Sequence, residues 1–288
     1  MFLSRRILEK KIHRFLEEDI GQGDITTLLT VPKGATAEAE IVAKEEGVIA
    51  GLEDVSAFLK SLGLEAEALV SDGSRVEEGT VIMRLVGDAR TLLSAERTVL
   101  NLLTRMSGIA TKTRRIVKKV RDAGYEARIA STRKGAPGLL YFDKKAVMLG
   151  GGDTHRLHLD DLVLIKDNHL AIVGHVGEAV KRARSAVSFS KKIEVEVSSR
   201  KDALEAVEAG ADIVMLDNVS PEEIKDIISL LEEKGLRRRV LIEASGGINE
   251  ENVVEYAATG ADILSLGEVT DSVETLDMSL DVVRVTRK

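Results

Sequence analysis

Gly210-Ala211-Asp212-Ile213-Val214-Met215-Leu216-Asp217 is the stretch on which the fold turns. A small polar turn feeds an apolar run that ends on a carboxylate. Its first four residues return fifty positions later as Gly260-Ala261-Asp262-Ile263. Comparable short runs stand at 128–132, 162–166, 193–197, 240–243 and 263–266, with amphipathic helical spacing between them. Those starting at 193, 213, 240 and 263 are 20, 27 and 23 residues apart. That is the pitch of βα units, in which a buried strand alternates with a covering helix. The second half of the chain therefore reads as a parallel sheet or barrel.

The first half has a different rhythm. Ile7, Leu8, Ile12, Phe15 and Leu16 give residues 5–18 helical spacing, and a turn-rich segment follows at 21–27. Residues 36–50, 64–70 and 80–86 alternate like strands. The turns around Asp72-Gly73 and Glu78-Gly79 resemble those of biotinyl or lipoyl carrier domains, but no modifiable Lys sits in the expected hairpin. A small β-rich packing unit is the plainer reading. A long amphipathic helix is expected from about 89 to 106, with Leu92, Val99, Leu103 and Met106 on its apolar face. Arg90, Ser94, Arg97, Asn101 and Arg105 form its polar stripe, either a solvated face or a source of an Arg for a neighbouring subunit.

Composition narrows the function. The 288 residues carry a formal net charge of −7, which disfavours nucleic acid and anionic membrane as partners. The absence of Cys removes disulfides and thiolate chemistry. No run approaches the roughly 20 apolar residues of a membrane span, and Met1 to Arg6 lead into charge instead of a signal core. The expected location is cytoplasmic. An anion site in such a chain must be a local cationic patch.

One such patch is visible. Gly150-Gly151-Gly152 runs into His155-Arg156, and Lys166 closes the next apolar run. Four of the five histidines fall between 155 and 175, which invites a metal reading with Asp160 and Asp161, but no recognised zinc spacing is present. In (β/α) barrels the site lies at the carboxyl ends of the strands, and phosphate often binds at the last two βα loops. Here those positions hold Arg133-Lys134-Gly135, Lys166, Glu196, Asp217, Ser245-Gly246-Gly247 and Gly267. Arg133, Lys134, His155, Arg156 and Lys166 suit carboxylates and phosphates. Glu196 and Asp217 suit sugar hydroxyls or a divalent cation. Glu194 and Glu196, two apart, share a strand face. The glycines allow close approach to a phosphate.

With these residues in place, the chain resembles the quinolinate phosphoribosyltransferases over nearly its whole length. The resemblance rests on Gly23-Asp24-Ile25-Thr26-Thr27, Ala95-Glu96-Arg97-Thr98, Thr132-Arg133-Lys134 with Pro137-Gly138, Gly150-Gly151-Gly152 with His155-Arg156, and Leu164-Ile165-Lys166-Asp167-Asn168-His169. Glu194-Val195-Glu196-Val197, Leu216-Asp217-Asn218 and Glu243-Ala244-Ser245-Gly246-Gly247 complete it. It implies a type II phosphoribosyltransferase fold: an N-terminal α/β sandwich (1–108), an open (β/α) barrel carrying the site (109–272), and a C-terminal helix (273–288) returning to the first domain.

The same resemblance implies phosphoribosyl transfer from phosphoribosyl pyrophosphate to quinolinate. Nicotinate mononucleotide, pyrophosphate and carbon dioxide are the products, and Mg²⁺ assists, held by the donor pyrophosphate with Glu196 and Asp217. Arg133, His155 and Arg156 would hold the quinolinate carboxylates, joined by Arg97 across the interface of a homodimer or of a hexamer built as a trimer of dimers. Lys134 and Lys166 would bridge the two substrates, with Gly135 beside them. Glu196 and Asp217 would bind the ribose, and Ser245, Gly246, Gly247 and Gly267 the 5-phosphate. The chain departs from the usual pattern at Gly135-Ala136, Thr154 and Asp271. Rival readings are a nicotinate phosphoribosyltransferase, a molybdenum-transport-associated paralogue, a Schiff-base aldolase using Lys166, and a binding barrel without catalysis.

Overall fold

The computed structural model describes residues 3–286. Met1 and Phe2 of the N-terminal reading, and Arg287 and Lys288 of the expected C-terminal helix, lie outside the described residues. In chain order the first elements are α1 (Arg5–Ile20), α2 (Ile25–Thr30), β1 (Thr36–Ala43), β2 (Gly47–Val48), α3 (Leu52–Ser61), β3 (Glu65–Ala68), β4 (Arg75–Val76), β5 (Val81–Asp88) and α4 (Ala89–Asp122). Next come β6 (Arg128–Ser131), α5 (Leu140–Leu149), β7 (Val163–Ile165), α6 (Asp167–Val173), α7 (Val176–Ala186), β8 (Ile193–Val197), α8 (Arg200–Glu208) and β9 (Ile213–Asp217). The last are α9 (Pro221–Glu233), β10 (Leu241–Ser245), α10 (Val253–Ala257), β11 (Ile263–Leu266), α11 (Glu268–Asp271) and β12 (Met278–Thr286).

Two compact units result. The first holds the described residues up to 112, with 148–150 and those from 273 onward. Its antiparallel sheet runs β12-β1-β5-β3. The period-2 pattern of β1 puts Ala37, Ala39, Ile41 and Ala43 on its buried face, and α3 contributes Val55, Phe58 and Leu59 to the core. The polar stripe of α4 divides. Arg90 donates to the carbonyls of Leu28 and Val31, and Ser94 donates to Asp24, whereas Arg97 and Asn101 are exposed.

Two expectations are corrected here. The segment expected as a C-terminal helix is the strand β12, paired antiparallel with β1 from Ala43↔Met278 to Thr36↔Thr286. Val282, Val283, Val285 and Thr286 are β-branched and poor helix formers, and this pairing covers an edge of β1 that would otherwise be open. The helix expected to stop near 106 runs 34 residues, to Asp122. Gly108 is not a terminator. A Cβ there would lie 1.9 Å from the Glu274 carbonyl oxygen, so glycine admits the crossing backbone of 274–275.

The second unit comprises 113–147 and 151–272. Its six strands are parallel in the order β6-β11-β10-β9-β8-β7, with β6 and β7 as the edges, so the barrel is open. Val195, Val214, Leu216, Ile242, Ala244, Leu264 and Leu266 are buried on one side of the strands. The alternate positions point the other way and carry Glu194, Glu196, Asp217, Glu243, Ser245 and Ser265 beside the apolar Leu164, Ile213, Met215, Leu241 and Ile263. Burying so many polar groups is costly unless they are paired or serve a ligand.

Candidate active site

A cavity of about 510 Å³ opens within the second unit. Arg133, Lys134, His155, Arg156 and Lys166 form one part of its lining. Glu196 and Asp217 lie on its strand side, and Ser245, Gly246, Gly247 and Gly267 supply its glycine-rich rim. Eleven of the thirteen expected residues thus meet in one space. Gly135 does not line it: a Cβ there would meet the Asp143 carboxylate at 3.3 Å and the Thr270 carbonyl at 3.8 Å. Arg97 is exposed on α4 in the first unit and is also not a lining residue.

The cationic wall is held from behind. Thr270 Oγ1 donates to the Lys134 carbonyl at 2.6 Å, which ties the β6–α5 loop to α11. Lys144, buried on α5, donates from Nζ to the Ser131 carbonyl at 2.8 Å, to Ser131 Oγ at 3.0 Å, and to the Thr154 carbonyl. One ammonium therefore staples the end of β6, two residues before Arg133, to the segment that carries His155 and Arg156. Burial pushes the Lys144 pKa down to about 8, opposed by Asp153 and Asp143 and reinforced by Arg133 and Arg156. Arg156 is likewise lowered, by burial first and then by Arg133. A second guanidinium close enough to lower the pKa of Arg156 makes a receptive place for a dianion.

The glycine triplet serves packing. Gly151 adopts φ +93°. A Cβ on Gly152 would sit 2.8 Å from Thr113 Cγ2, 2.9 Å from Val147 Cγ1 and 3.1 Å from the Ile129 carbonyl. The triplet lets the chain lie flat against β6. Asp153 then donates to the Ile129 carbonyl at 2.7 Å and accepts from Ser131 N–H at 3.1 Å, forming a parallel bridge on the open edge of the sheet. Glycine places the cations here.

His155 sits on buried carboxylates. Its Nε2 lies 3.1 Å from Glu243 Oε2 and 3.3 Å from Glu194 Oε2, and both glutamates are fully buried. Ser265 donates to Glu243 Oε1 at 2.6 Å. Burial opposes a charge on the ring, but the hydrogen bond to Glu243 and the nearby carboxylate of Glu194 outweigh it and push the pKa up to about 10. Arg156 N–H, however, donates to His155 Nδ1 at 2.8 Å, which leaves no room for a proton on that nitrogen. The geometry decides between these. With Nδ1 accepting, the ring proton belongs on Nε2, facing Glu243 and Glu194, and burial raises the Glu194 pKa.

These three side chains place ligand atoms within 4.8 Å of one another, close enough to share a cation. With Arg156 N–H on Nδ1, an ion there would have to displace the Nε2 proton. Among the described residues no other trio gathers so closely. His169 instead accepts the Lys166 N–H at 3.0 Å, at the start of α6.

Across the cavity, Lys166 Nζ is paired with Glu196 Oε2 at 2.7 Å. Asp217 Oδ2 accepts from Asn218 Nδ2 at 2.6 Å, and Asn218 turns at φ +55°. Gly246 (φ +89°) packs on that turn: a Cβ there would be 2.5 Å from Asn218 Oδ1 and 2.6 Å from its backbone nitrogen. Gly247 (φ +65°) faces open space.

The Quinolinate phosphoribosyl transferase C-terminal domain matches residues 109–281, and the N-terminal domain of the same name matches residues 24–107. The chain belongs to the quinolinate phosphoribosyltransferase family. A probable nicotinate-nucleotide pyrophosphorylase (carboxylating) of Methanocaldococcus jannaschii is 49% identical over 277 residues, covering 96% of this chain and 97% of the relative. One from Methanothermobacter thermautotrophicus is 47% identical over 271 residues, covering 94% and 97%. The solved nicotinate-nucleotide pyrophosphorylase of Francisella tularensis superposes with a TM-score of 0.89 at 35% identity, over 98% of each chain.

Within this family frame, four residues with a clear place in the site escaped the sequence reading. Glu243 and Ser265 line the cavity beneath His155, Asn218 holds Asp217, and Lys144 staples the cationic wall. Glu243 had a readable signal, since a carboxylate inside an apolar strand must be paired. Lys144 had none: on a helix it reads as one more solvated lysine.

Proposed function

We propose that this chain transfers a phosphoribosyl group from phosphoribosyl pyrophosphate to quinolinate with decarboxylation. The observation that carries this reading is the arrangement of the cavity. A cationic wall stands beside two carboxylates and a glycine-rich turn in one cavity. Such a site accepts a dianionic ring on one side and a phosphorylated sugar on the other.

Arg133 and Arg156 read the two ring carboxylates, and Lys134 and Lys166 stand between the substrates. The bond from C1 of the ribose to pyrophosphate oxygen breaks, and the pyridine nitrogen forms a new bond to that carbon. Glu196 and Asp217 bind the ribose hydroxyls and stabilise the positive charge that develops on the sugar. Holding the ring nitrogen in line with C1 supplies much of the rate. The carboxylate beside the now cationic nitrogen leaves as carbon dioxide, its bonding electrons pass into the ring, and that ring carbon takes a proton from water. Ser245, Gly246, Gly247 and Gly267 seat the 5-phosphate with backbone N–H groups.

Mg²⁺ fits this donor set. Glu196 and Asp217 offer hard oxygens at the edge of the cavity, and Mg²⁺ is characteristically bound by one or two carboxylates together with substrate phosphates. When bound it would neutralise charge on the departing pyrophosphate. Arg97, exposed on its helix, would complete the carboxylate contacts from the partner in a dimer or a trimer of dimers. No helix among the described residues is long and apolar enough to cross a membrane, and a cytoplasmic location suits these substrates.

The aldolase reading loses ground at Lys166, whose ammonium is paired with Glu196 instead of standing in the apolar setting that activates an imine-forming lysine. The test is direct. With Mg²⁺ and phosphoribosyl pyrophosphate, quinolinate labelled in the carboxylate beside nitrogen should release labelled carbon dioxide as nicotinate mononucleotide accumulates. Turnover of nicotinate alone would transfer the chain to the non-decarboxylating activity.

A further inference from the structure

The buried carboxylates under His155 have no part in the chemistry just described, and one of them is anomalous. Glu194 is fully buried, and neither carboxylate oxygen has a hydrogen-bond partner of good geometry, although Oε2 lies 3.3 Å from His155 Nε2. A buried carboxyl without donors is expensive and calls for a compensating role.

His155 explains it. The residue has φ +50°, in the left-handed region that a side-chain-bearing residue rarely adopts. This turn brings the Arg156 N–H onto Nδ1 of the same ring, 2.8 Å away. With Nδ1 filled, the ring's single proton points from Nε2 toward Glu243 and Glu194. Neither ring nitrogen remains free for a ligand. Ser265 fixes the remaining Glu243 oxygen from the neighbouring strand. A continuous chain therefore runs from β11 through Ser265, Glu243 and His155 to the backbone of Arg156.

We propose that Glu243, with Glu194 beside it, is a positioning residue for substrate: through the His155 ring it holds the strained 155–156 turn that presents Arg156 to a ring carboxylate. This rests on the reading of Arg156 as a carboxylate contact. It changes the part expected of His155, which supports the substrate-binding arginine and makes no hydrogen bond to substrate itself.

The experiment compares wild type with Glu243→Gln and with Ser265→Ala, which keeps both carboxylates. Glu243→Gln should raise KM for quinolinate about tenfold, the scale of one hydrogen bond to a charged group. KM for phosphoribosyl pyrophosphate should stay within about twofold. Ser265→Ala should shift KM for quinolinate in the same direction by a smaller factor, and it serves if the first variant does not fold. Nitrogen-15 shifts of the His155 ring supply a readout independent of activity: a neutral ring with its proton on Nε2 in wild type, and exchange between tautomers in Glu243→Gln. Equal rises in both KM values, a doubly protonated ring in wild type, or stoichiometric Mn²⁺ binding lost in Glu243→Gln would each overturn the proposal. If wild type fails to release carbon dioxide from quinolinate, the functional reading falls, while the nitrogen shifts still judge the turn.

Discussion

Lys144 shows how much one side chain organises. Its three hydrogen bonds join two segments that carry the arginines, yet its charge is opposed by burial and by both arginines. The sign of the pH effect follows. Its native pKa of about 8 lies below the ordinary lysine value of 10.5, so between these limits the unfolded chain binds more protons than the folded one. Stability contributed through this group therefore rises with pH across that window. The neutral amine, with two hydrogens for three acceptors, grips the loop less well. Urea titrations from pH 8 to 10.5 should show wild type gaining stability relative to Lys144→Met, while KM for quinolinate climbs in wild type. Parallel pH profiles of the two proteins would refute this.

At the scale of the element, the turn after β10 separates two glycines that read identically in sequence. Gly246 needs both a positive φ and the absence of a Cβ, because the backbone nitrogen of Asn218 cannot withdraw. Gly247 needs only its φ, and the left-handed penalty is about 1–2 kcal/mol. Gly246→Ala should therefore displace the Asn218–Asp217 pair and lower kcat/KM for phosphoribosyl pyrophosphate roughly 100-fold, in line with the cost of a misplacement near 1 Å. Gly247→Ala should cost stability but leave activity within about tenfold. Equal losses measured in the two variants would place the phosphate seat elsewhere. β12 teaches a related lesson. Its β-branched residues were plain in the sequence, but its partner strand lies more than 200 residues away, and no local pattern reports such a pairing.

For the molecule as a whole, an acidic chain of net charge −7 concentrates cations in one cavity of its second unit. Two guanidiniums should favour a dicarboxylate over a monocarboxylate. Quinolinate at 100 times its Kd should stabilise the folded state by about 2.7 kcal/mol. That corresponds to a Tm rise of roughly 5–10 °C for a chain of this size. Nicotinate at the same concentration should give a clearly smaller rise by differential scanning fluorimetry. Equal shifts would argue against the paired reading of Arg133 and Arg156.

The sequence by itself determined the βα pitch, the parallel strands and the charged residues at their carboxyl ends, because strand period and turn chemistry are local properties. Glu196, Asp217 and the glycines after β10 were legible for that reason. Tertiary structure alone decided the rest. It made the glycine triplet a packing device and Gly108 a crossing point, and sent the last segment to β1 as a strand. It also filled both nitrogens of His155. Each outcome depends on which atoms arrive from distant parts of the chain, and contact at that range is set by packing and pairing, which residue order does not display.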